Sequence, residues 1–324
     1  MEKSPSIDFR ASHVKKAQGC LVGLAVGDAF GDLGRTESYR NQYGIINNLY
    51  AGAKSTDDTE FAMLSAQILL DCGGQLTPEA LLAGWHRYIL DEDGMFERGG
   101  RPLYGAVANI RRGMTPPLSG RYNVMNNDDG AAMRIAPVGI LCVGDPKRAA
   151  RLAAIDAEIS HHQDGIWAAQ AVAAGVAAAM ADCAVTEVIS AAQACIPADS
   201  WLGYTMDKAM KICDRAGCIE NAWEDLHTQF WTPAHSVAPE AIPQALSIYR
   251  LTGGDFRKGM FWGGNFGRDA DTIGAVIGAL CGARHGLDVI PPDWVEKVRR
   301  PSGVCLRFTA RVDVMEIAAA LAEL

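Results

Sequence analysis

The chain has 324 residues, of which 49% are apolar and 21% charged, and a formal net charge of −8. That balance excludes a mainly disordered chain and predicts a sizeable buried core. An acidic chain without a basic cluster is also a poor match for a nucleic-acid backbone or an anionic membrane surface.

The first segment, MEKSPSIDFRASHVKKAQ, lacks the apolar run of a signal peptide. Residues 17–26 form an apolar helical run rich in small residues, and GLAVGDAFGD overlaps it. Read alone, GDAFG is a helix end with Gly at C′ and Asp28 in the turn. Next comes the cluster Ser55-Thr56-Asp57-Asp58-Thr59-Glu60, which opens an apolar helix over residues 60–70. Thr77-Pro78-Glu79 starts another helix, through Trp85 and Tyr88, with Pro at its first position.

Residues 91–133 are the least helical part, with FERGGRP, GMTPPLSGRYN and NNDDGAAMR. A loop of that length inside a domain is often functional. Asn127-Asp128-Asp129-Gly130 reads locally as an Asx-type turn. Asp145-Pro146 opens a helix, and residues 165–181 open a long one. The run over residues 165–185 raises a membrane question, but it is mostly Ala and is interrupted by Gln170 and Asp182. A tightly packed buried helix is the better reading. Further helices are predicted over 187–194, 204–215, 239–251, 255–261 and 272–286. Alternating strand patterns are nearly absent, and no GxxxxGK[ST] phosphate loop occurs. The expectation is one all-α domain spanning 1–324.

Nine cysteines, irregularly spaced and without a CxxC pair, fit a reducing, cytoplasmic setting. Cys213 and Cys218 lack a second pair or a nearby His to complete a zinc site.

Two acidic clusters carry the chemistry. One is Ser55–Glu60; the other is GGNFGRDADT, ending at Thr272. Each precedes an apolar helix, so N-capping is the plain reading. A cap needs one such residue, whereas each cluster supplies at least two carboxylates and a threonine. Thr56, Asp57, Asp58, Asp269, Asp271 and Thr272 are hard oxygen donors, the set that selects Mg²⁺, Mn²⁺ or Ca²⁺ over zinc or copper. Four carboxylates neutralise two divalent ions. The 12-residue ligand spacing of an EF-hand is absent. Spacing alone leaves capping and metal binding both open.

The motifs GDAFG, STDDTEFAM, DGAAMRIAPVGI, ISHHQDGIWAAQAVAAGVAA and GGNFGRDADTIGAVIGALCGARHG occur in this order over residues 16–286. In that order the sequence resembles the ADP-ribosylglycohydrolase family. The family includes the dinitrogenase reductase activating glycohydrolase and the ADP-ribosyl-arginine and ADP-ribosyl-serine hydrolases. The pair TDDT and GRDADT carries the resemblance; GDAFG alone does not. The resemblance implies a compact orthogonal helical bundle with two Mg²⁺ or Mn²⁺ ions, held by Thr56, Asp57, Asp58, Asp269, Asp271 and Thr272. It implies hydrolysis of the N-glycosidic bond at the ribose anomeric carbon of an ADP-ribosylated protein, arginine-linked by default. Asp57, Asp58 and Asp269 are the candidate catalytic carboxylates. Asp28 is expected close to the metals, orienting ligands.

By the same resemblance, Asn127, Asp128, Gly130 and Ala131 approach the distal ribose and phosphates, with backbone N–H groups meeting phosphate oxygens. Arg134 is either a charge partner there or a surface salt bridge. His161 is a pocket-wall or capping residue with substrate contact as the alternative; His162 ranks below it, and His235 is read as structural. Trp231 and Trp262 are core residues or platforms for a base. Where some relatives place a ring-opening Asp, this chain has Glu97 or Arg98, with Asp93 and Glu97 as substitutes. Glu37 is nearest to the glutamate that gates the metals in the serine-specific branch. These departures leave a small N-ribosylated metabolite or nucleoside as the alternative substrate. A non-catalytic ADP-ribose or metal binder and a metal-assisted phosphoester hydrolase rank lower.

Overall fold

Glycines at every fourth position decide how the molecule is built. The structure, a computed structural model, describes residues 9–92 and 97–324. Among the described residues there are seventeen α-helical segments and no strand, only an isolated bridge between Asp128 and Val237. The helices that position the site are α1 (Phe9–Arg35), α2 (Asp57–Asp71), α3 (Pro146–Ala157), α4 (Asp164–Met180), α5 (Ala238–Leu251), α6 (Phe256–Gly264), α7 (Ala270–His285) and α8 (Val314–Ala322).

Gly19, Gly23, Gly27 and Gly31 fall on one face of α1, and Gly274, Gly278 and Gly282 on one face of α7. The two faces meet backbone to backbone. A Cβ on Gly27 would stand 1.9 Å from the Gly274 carbonyl oxygen, and one on Gly23 would stand 2.2 Å from that of Gly278. Gly19 meets Gly282 while Gly31 meets Ala270, so the helices run antiparallel. The end of α1 therefore lies beside the start of α7. A helix end at GDAFG is overturned: α1 runs on to Arg35. Each interior glycine costs about 1 kcal/mol of helix propensity, and the close approach offsets it.

The expected helices over 60–70, 165–181, 204–215, 239–251 and 272–286 are present within a few residues of those bounds. Helix α4 is the Ala-rich run; its small side chains are buried along nearly its whole length. No helix among the described residues is long and apolar enough to cross a membrane. Residues 91–133 were expected to be largely irregular, yet they contain the helix Arg101–Arg111. Its buried Leu103, Ala106, Val107 and Ile110 have helical spacing, and that short stripe is diluted by the loops around it. The helices Ile219–Thr228, Pro292–Val298 and α8 also went unpredicted.

The apolar core is a continuous cluster from Ala17 on α1 to Leu321 on α8. Two polar ties close it. Asp313 caps α8 through the Met315 and Glu316 N–H groups and pairs with Arg299 Nε at 2.6 Å. Glu60, fully buried on α2, accepts from the Val304, Cys305 and Leu306 N–H groups and from the Ser302 hydroxyl. That carboxylate straps the segment after Ser302 onto the start of α2. All nine cysteines are free thiols.

Candidate active site

The glycine seam delivers the C-terminal end of α1 and the N-terminal end of α7 to one place, and the start of α2 joins them there. Thr56 caps α2: its side chain accepts from the Asp58 N–H at 3.4 Å. Its own N–H donates to Asp28 Oδ2 at 2.8 Å, and the Thr59 N–H and hydroxyl donate to the same oxygen. Asp28 thus ties α1 to α2 with one oxygen. Its other oxygen is buried and has no partner.

Capping accounts for Thr56 and leaves the acids over. Asp269 occupies the N-cap position of α7, but its side chain caps nothing. It pairs with Arg35 instead, Nη1 to Oδ1 at 2.7 Å, and the same nitrogen lies 2.6 Å from Asp271 Oδ1. Arg98 Nη2 reaches Asp32 at 2.7 Å and Asp271 at 3.8 Å. The Cys305 thiol donates to the Arg98 carbonyl, fixing that backbone.

Asp57, Asp58, Asp269, Asp271 and Thr272 line a cavity of about 380 Å³, together with Arg35, Arg98, Asp128 and Asp129. Most of these acids are buried, and burial with mutual repulsion makes them reluctant to ionise. Burial first, then the Asp271 charge, raises Asp28 to about 7. Burial lifts Asp271 to about 8 against the pull of Arg35. Asp58, facing Asp271 and Asp28, and Asp129, facing Asp269 and Asp128, are pushed well above the ordinary carboxylate range. Asp57 and Asp269 are raised by burial as well. Three buried oxygens have no hydrogen-bond partner: Asp28 Oδ1, Asp58 Oδ2 and Asp129 Oδ2. Buried polar atoms of this kind are rare and costly. The set calls for more positive charge than Arg35 and Arg98 provide, and its all-oxygen chemistry fits a hard divalent ion. Among the described residues, no three His, Cys, Asp or Glu side chains are already drawn round one point; Arg35 holds two of the candidate oxygens.

The opposite wall is a loop pinned across the bridge to residues 233–238. Asp129 N–H donates to the Ser236 carbonyl at 2.8 Å, and Ala238 N–H to that of Asn127 at 3.0 Å. Asp128 Oδ1 accepts from the Gly130 N–H at 2.9 Å and lies 2.6 Å from His161 Nε2. His161 Nδ1 is 2.8 Å from the Ser160 hydroxyl, which accepts from Arg134 Nη2 at 3.1 Å. This Ser-His-Asp row has the composition of a hydrolytic triad but not its placement. Ser160 and His161 are fully buried behind the cavity wall, and burial holds His161 below its ordinary pKa, neutral. The row is a strut that aims Asp128.

Several expectations change here. The Gly130 N–H is spent on Asp128, so it is not offered to phosphate. Ala131 is buried, and neither it nor Asn127 lines the cavity. His161 reaches the cavity only through Asp128, and Asp28 stands behind the acids, bonded to Thr56 and Thr59. Thr56 lies behind the wall as the cap. Arg134 is neither a surface salt bridge nor a phosphate partner: it is buried, bonded to Asp156 at 2.8 Å and to the Gly130 carbonyl at 3.2 Å. His235, read as structural, lies in the wall with Nε2 3.5 Å from Asp269 Oδ1. Glu37 and Glu97 are exposed and outside the wall, as is half-buried His162. Asp93 falls outside the described residues. Trp231 is exposed with Arg268 over its ring, and Trp262 packs edge-on against Trp223, so neither lines the cavity.

Sequence reasoning missed Arg35, Arg98, Asp129 and His235 as site residues. A signal existed for the first: Asp28, Asp32 and Arg35 have i, i+4, i+7 spacing, which places all three on one helical face once α1 is continued. Arg268 has a left-handed backbone, φ 55°, directly before Asp269. Glu240, fully buried, and the Thr232 carbonyl hold its guanidinium there. Strain of this kind persists where the surroundings over-determine it.

The sequence model of the ADP-ribosylglycohydrolase family matches residues 10–324. An uncharacterized protein of Archaeoglobus fulgidus is 30% identical over 299 residues, 88% of this chain and 92% of that protein. An ADP-ribosylarginine hydrolase of Pseudomonas putida is 24% identical over 296 residues, 87% of this chain and 74% of that one. A solved ADP-ribosylglycohydrolase-related protein complex shares the fold with a TM-score of 0.68 at 24% identity, over 97% of this chain and 99% of that chain. The motifs, the all-α architecture and the family match agree: this chain belongs to the ADP-ribosylglycohydrolase family and is a hydrolase.

Proposed function

We propose that the chain, acting as a single domain in the cytoplasm, hydrolyses the N-glycosidic bond between ADP-ribose and an arginine side chain of a protein, with divalent ions in the acidic cluster. The observation that carries this is the group of buried carboxylates with unpartnered oxygens at one end of the cavity. Arginine is the acceptor named in the Pseudomonas putida relative. Nine free thiols fit a reducing compartment.

Asp57, Asp58, Asp269, Asp271 and Thr272, which line the cavity, would hold two Mg²⁺ or Mn²⁺ ions, with Thr56 behind them as the cap that accepts from the Asp58 N–H. When bound, such ions supply positive charge that orients the ribose hydroxyls and makes an attacking water more acidic. The chain does the rest. Cleavage at the anomeric carbon builds positive charge on the sugar, and a wall of carboxylates stabilises it. Asp28 holds Thr56 and Thr59, so the first two ligating acids keep their places. One carboxylate of Asp57, Asp58 or Asp269 would steer the attacking water and take its proton as general base. The His161 strut keeps Asp128 aimed at the substrate. Arg35, Arg98 and His235 supply the basic side chains of the cavity wall.

One observation favours a second reading, a small N-ribosylated molecule without the full diphosphate: the Gly130 amide expected to meet phosphate is occupied by Asp128. The test is release of ADP-ribose from ADP-ribosyl-arginine, with and without Mg²⁺ or Mn²⁺. Metal-dependent release that is lost in Asp269→Asn is the expected result. Cleavage of a ribosyl-guanidine but not of its ADP-ribosyl counterpart would replace the first reading with the second.

A further inference from the structure

Arg35 occupies a position that a bound cation would contest. Its Nη1 is 2.7 Å from Asp269 Oδ1 and 2.6 Å from Asp271 Oδ1, and its Nε is 3.7 Å from Asp32 Oδ1. The side chain borders two spaces. One is the acidic cavity; the other is an open groove of about 560 Å³, whose wall includes Asp32, Tyr39, Arg98 and Arg268. A guanidinium at hydrogen-bond distance from both oxygens fills the space between them. A divalent ion drawn to the same oxygens brings twice the charge, and at equal distance its attraction is greater. The two cations therefore compete for one pair of carboxylates. Arg35 is the last residue of α1, and the groove gives its side chain room to turn without moving the seam.

We infer that Arg35 is an exchangeable internal cation of this site: it neutralises Asp269 and Asp271 until a divalent ion takes those oxygens, and it then swings into the groove toward Asp32. This rests on the metal reading above. The exchange has a second effect. Arg98 already holds Asp32 at 2.7 Å and Arg35 Nε stands 3.7 Å from it, so the swing brings the second guanidinium fully onto that carboxylate. The groove becomes more positive as the cluster loads.

The experiment is Mn²⁺ titration by calorimetry on the full chain, comparing wild type with Arg35→Gln, Arg35→Lys and Arg35→Ala, with thermal melts to establish folding. Removing the competitor tightens Mn²⁺ binding, by about tenfold or more for Arg35→Gln at low salt and less for Arg35→Lys, which keeps the charge without the fork. Loss of a remote positive charge would also tighten binding somewhat, so a second arm separates the two. In Arg35→Ala, added guanidinium chloride refills the place and weakens Mn²⁺ binding competitively, whereas NaCl at the same ionic strength does not. Unchanged Mn²⁺ affinity in Arg35→Gln, or equal effects of guanidinium and sodium in Arg35→Ala, overturns the exchange and leaves the metal site standing. No Mn²⁺ binding by any of the folded proteins overturns both the exchange and the metal reading.

Discussion

The seam between α1 and α7 and the acidic cluster at its end are built on opposite principles. Along the seam, glycine meets glycine and the backbones touch without side chains between them. At its end, six acids line the cavity with Asp28 behind them, and three oxygens of these seven carboxyl groups go unpartnered. The seam lowers the free energy of the fold; the cluster raises it. The contrast teaches how a protein holds repelling charges close: the repulsion is carried by a contact that has no freedom to relax.

The strongest way to break this pairing is to part the seam. Gly27→Val places atoms on the Gly274 carbonyl and should cost about 3 kcal/mol or more, with loss of soluble folded protein or a large fall in Tm. A melting curve equal to wild type would mean that the close approach does not position the site. Substitutions in the cluster should move stability the other way. Asp58→Asn replaces a carboxyl group that burial first, then the Asp271, Asp28 and Asp57 charges, keep from ionising in the fold. Without divalent ions it should melt higher than wild type, while hydrolysis falls by about a hundredfold or more. A metal-free variant that melts lower would show that the Asp58 charge is satisfied after all.

Acidity sharpens the comparison. Asp28 and Asp271 titrate at about 7 and about 8 in the fold, against an ordinary value of 3.8. From about pH 4 upward, the unfolded chain has released protons that the native state keeps. Unfolding then releases protons, so metal-free stability is highest below that range and is lost as pH rises through about 7 to 8. Divalent ions need the ionised form and bind better as pH rises. The gain in Tm on adding Mg²⁺ should therefore be larger at pH 8 than at pH 6. An equal gain at both would disconnect these carboxylates from metal. The smallest effect is expected at the strut. His161→Asn should lower kcat by about tenfold through a misaimed Asp128 and leave the Mn²⁺ affinity near wild type. A parallel fall in Mn²⁺ affinity would place His161 in support of the cluster instead.

Much of this was readable in the amino-acid order because it is local. A cap followed by surplus acids is a pattern within six residues, and it located both Asp57-Asp58 and Asp269–Asp271. Helical spacing found α4, α5 and α7. What escaped is what only packing decides. Glycines that end a helix and glycines that let two helices touch look alike until the partner is known, so α1 was cut short and Arg35 was left off the face it shares with Asp28. Arg98 and His235 enter the wall from loops whose positions depend on distant anchors, the Cys305 thiol for one and the Asp128–Val237 bridge for the other. The family resemblance points the Gly130 amide at phosphate, whereas the plain Asx-turn reading of the same residues gives the bond to Asp128 that is present.

The Glu60 strap sets an order of assembly. Its partners, Val304, Cys305 and Leu306, lie far along the chain, as do Asp269 and Asp271. During synthesis, Asp57 and Asp58 appear early and wait in solvent, where their charges are cheap. In the fold they are enclosed by α7, docked on α1, and by the strap at the start of α2. The enclosure that buries these charges thus cannot form before the later parts of the chain have been made, and with them most of the apolar residues that offset its cost.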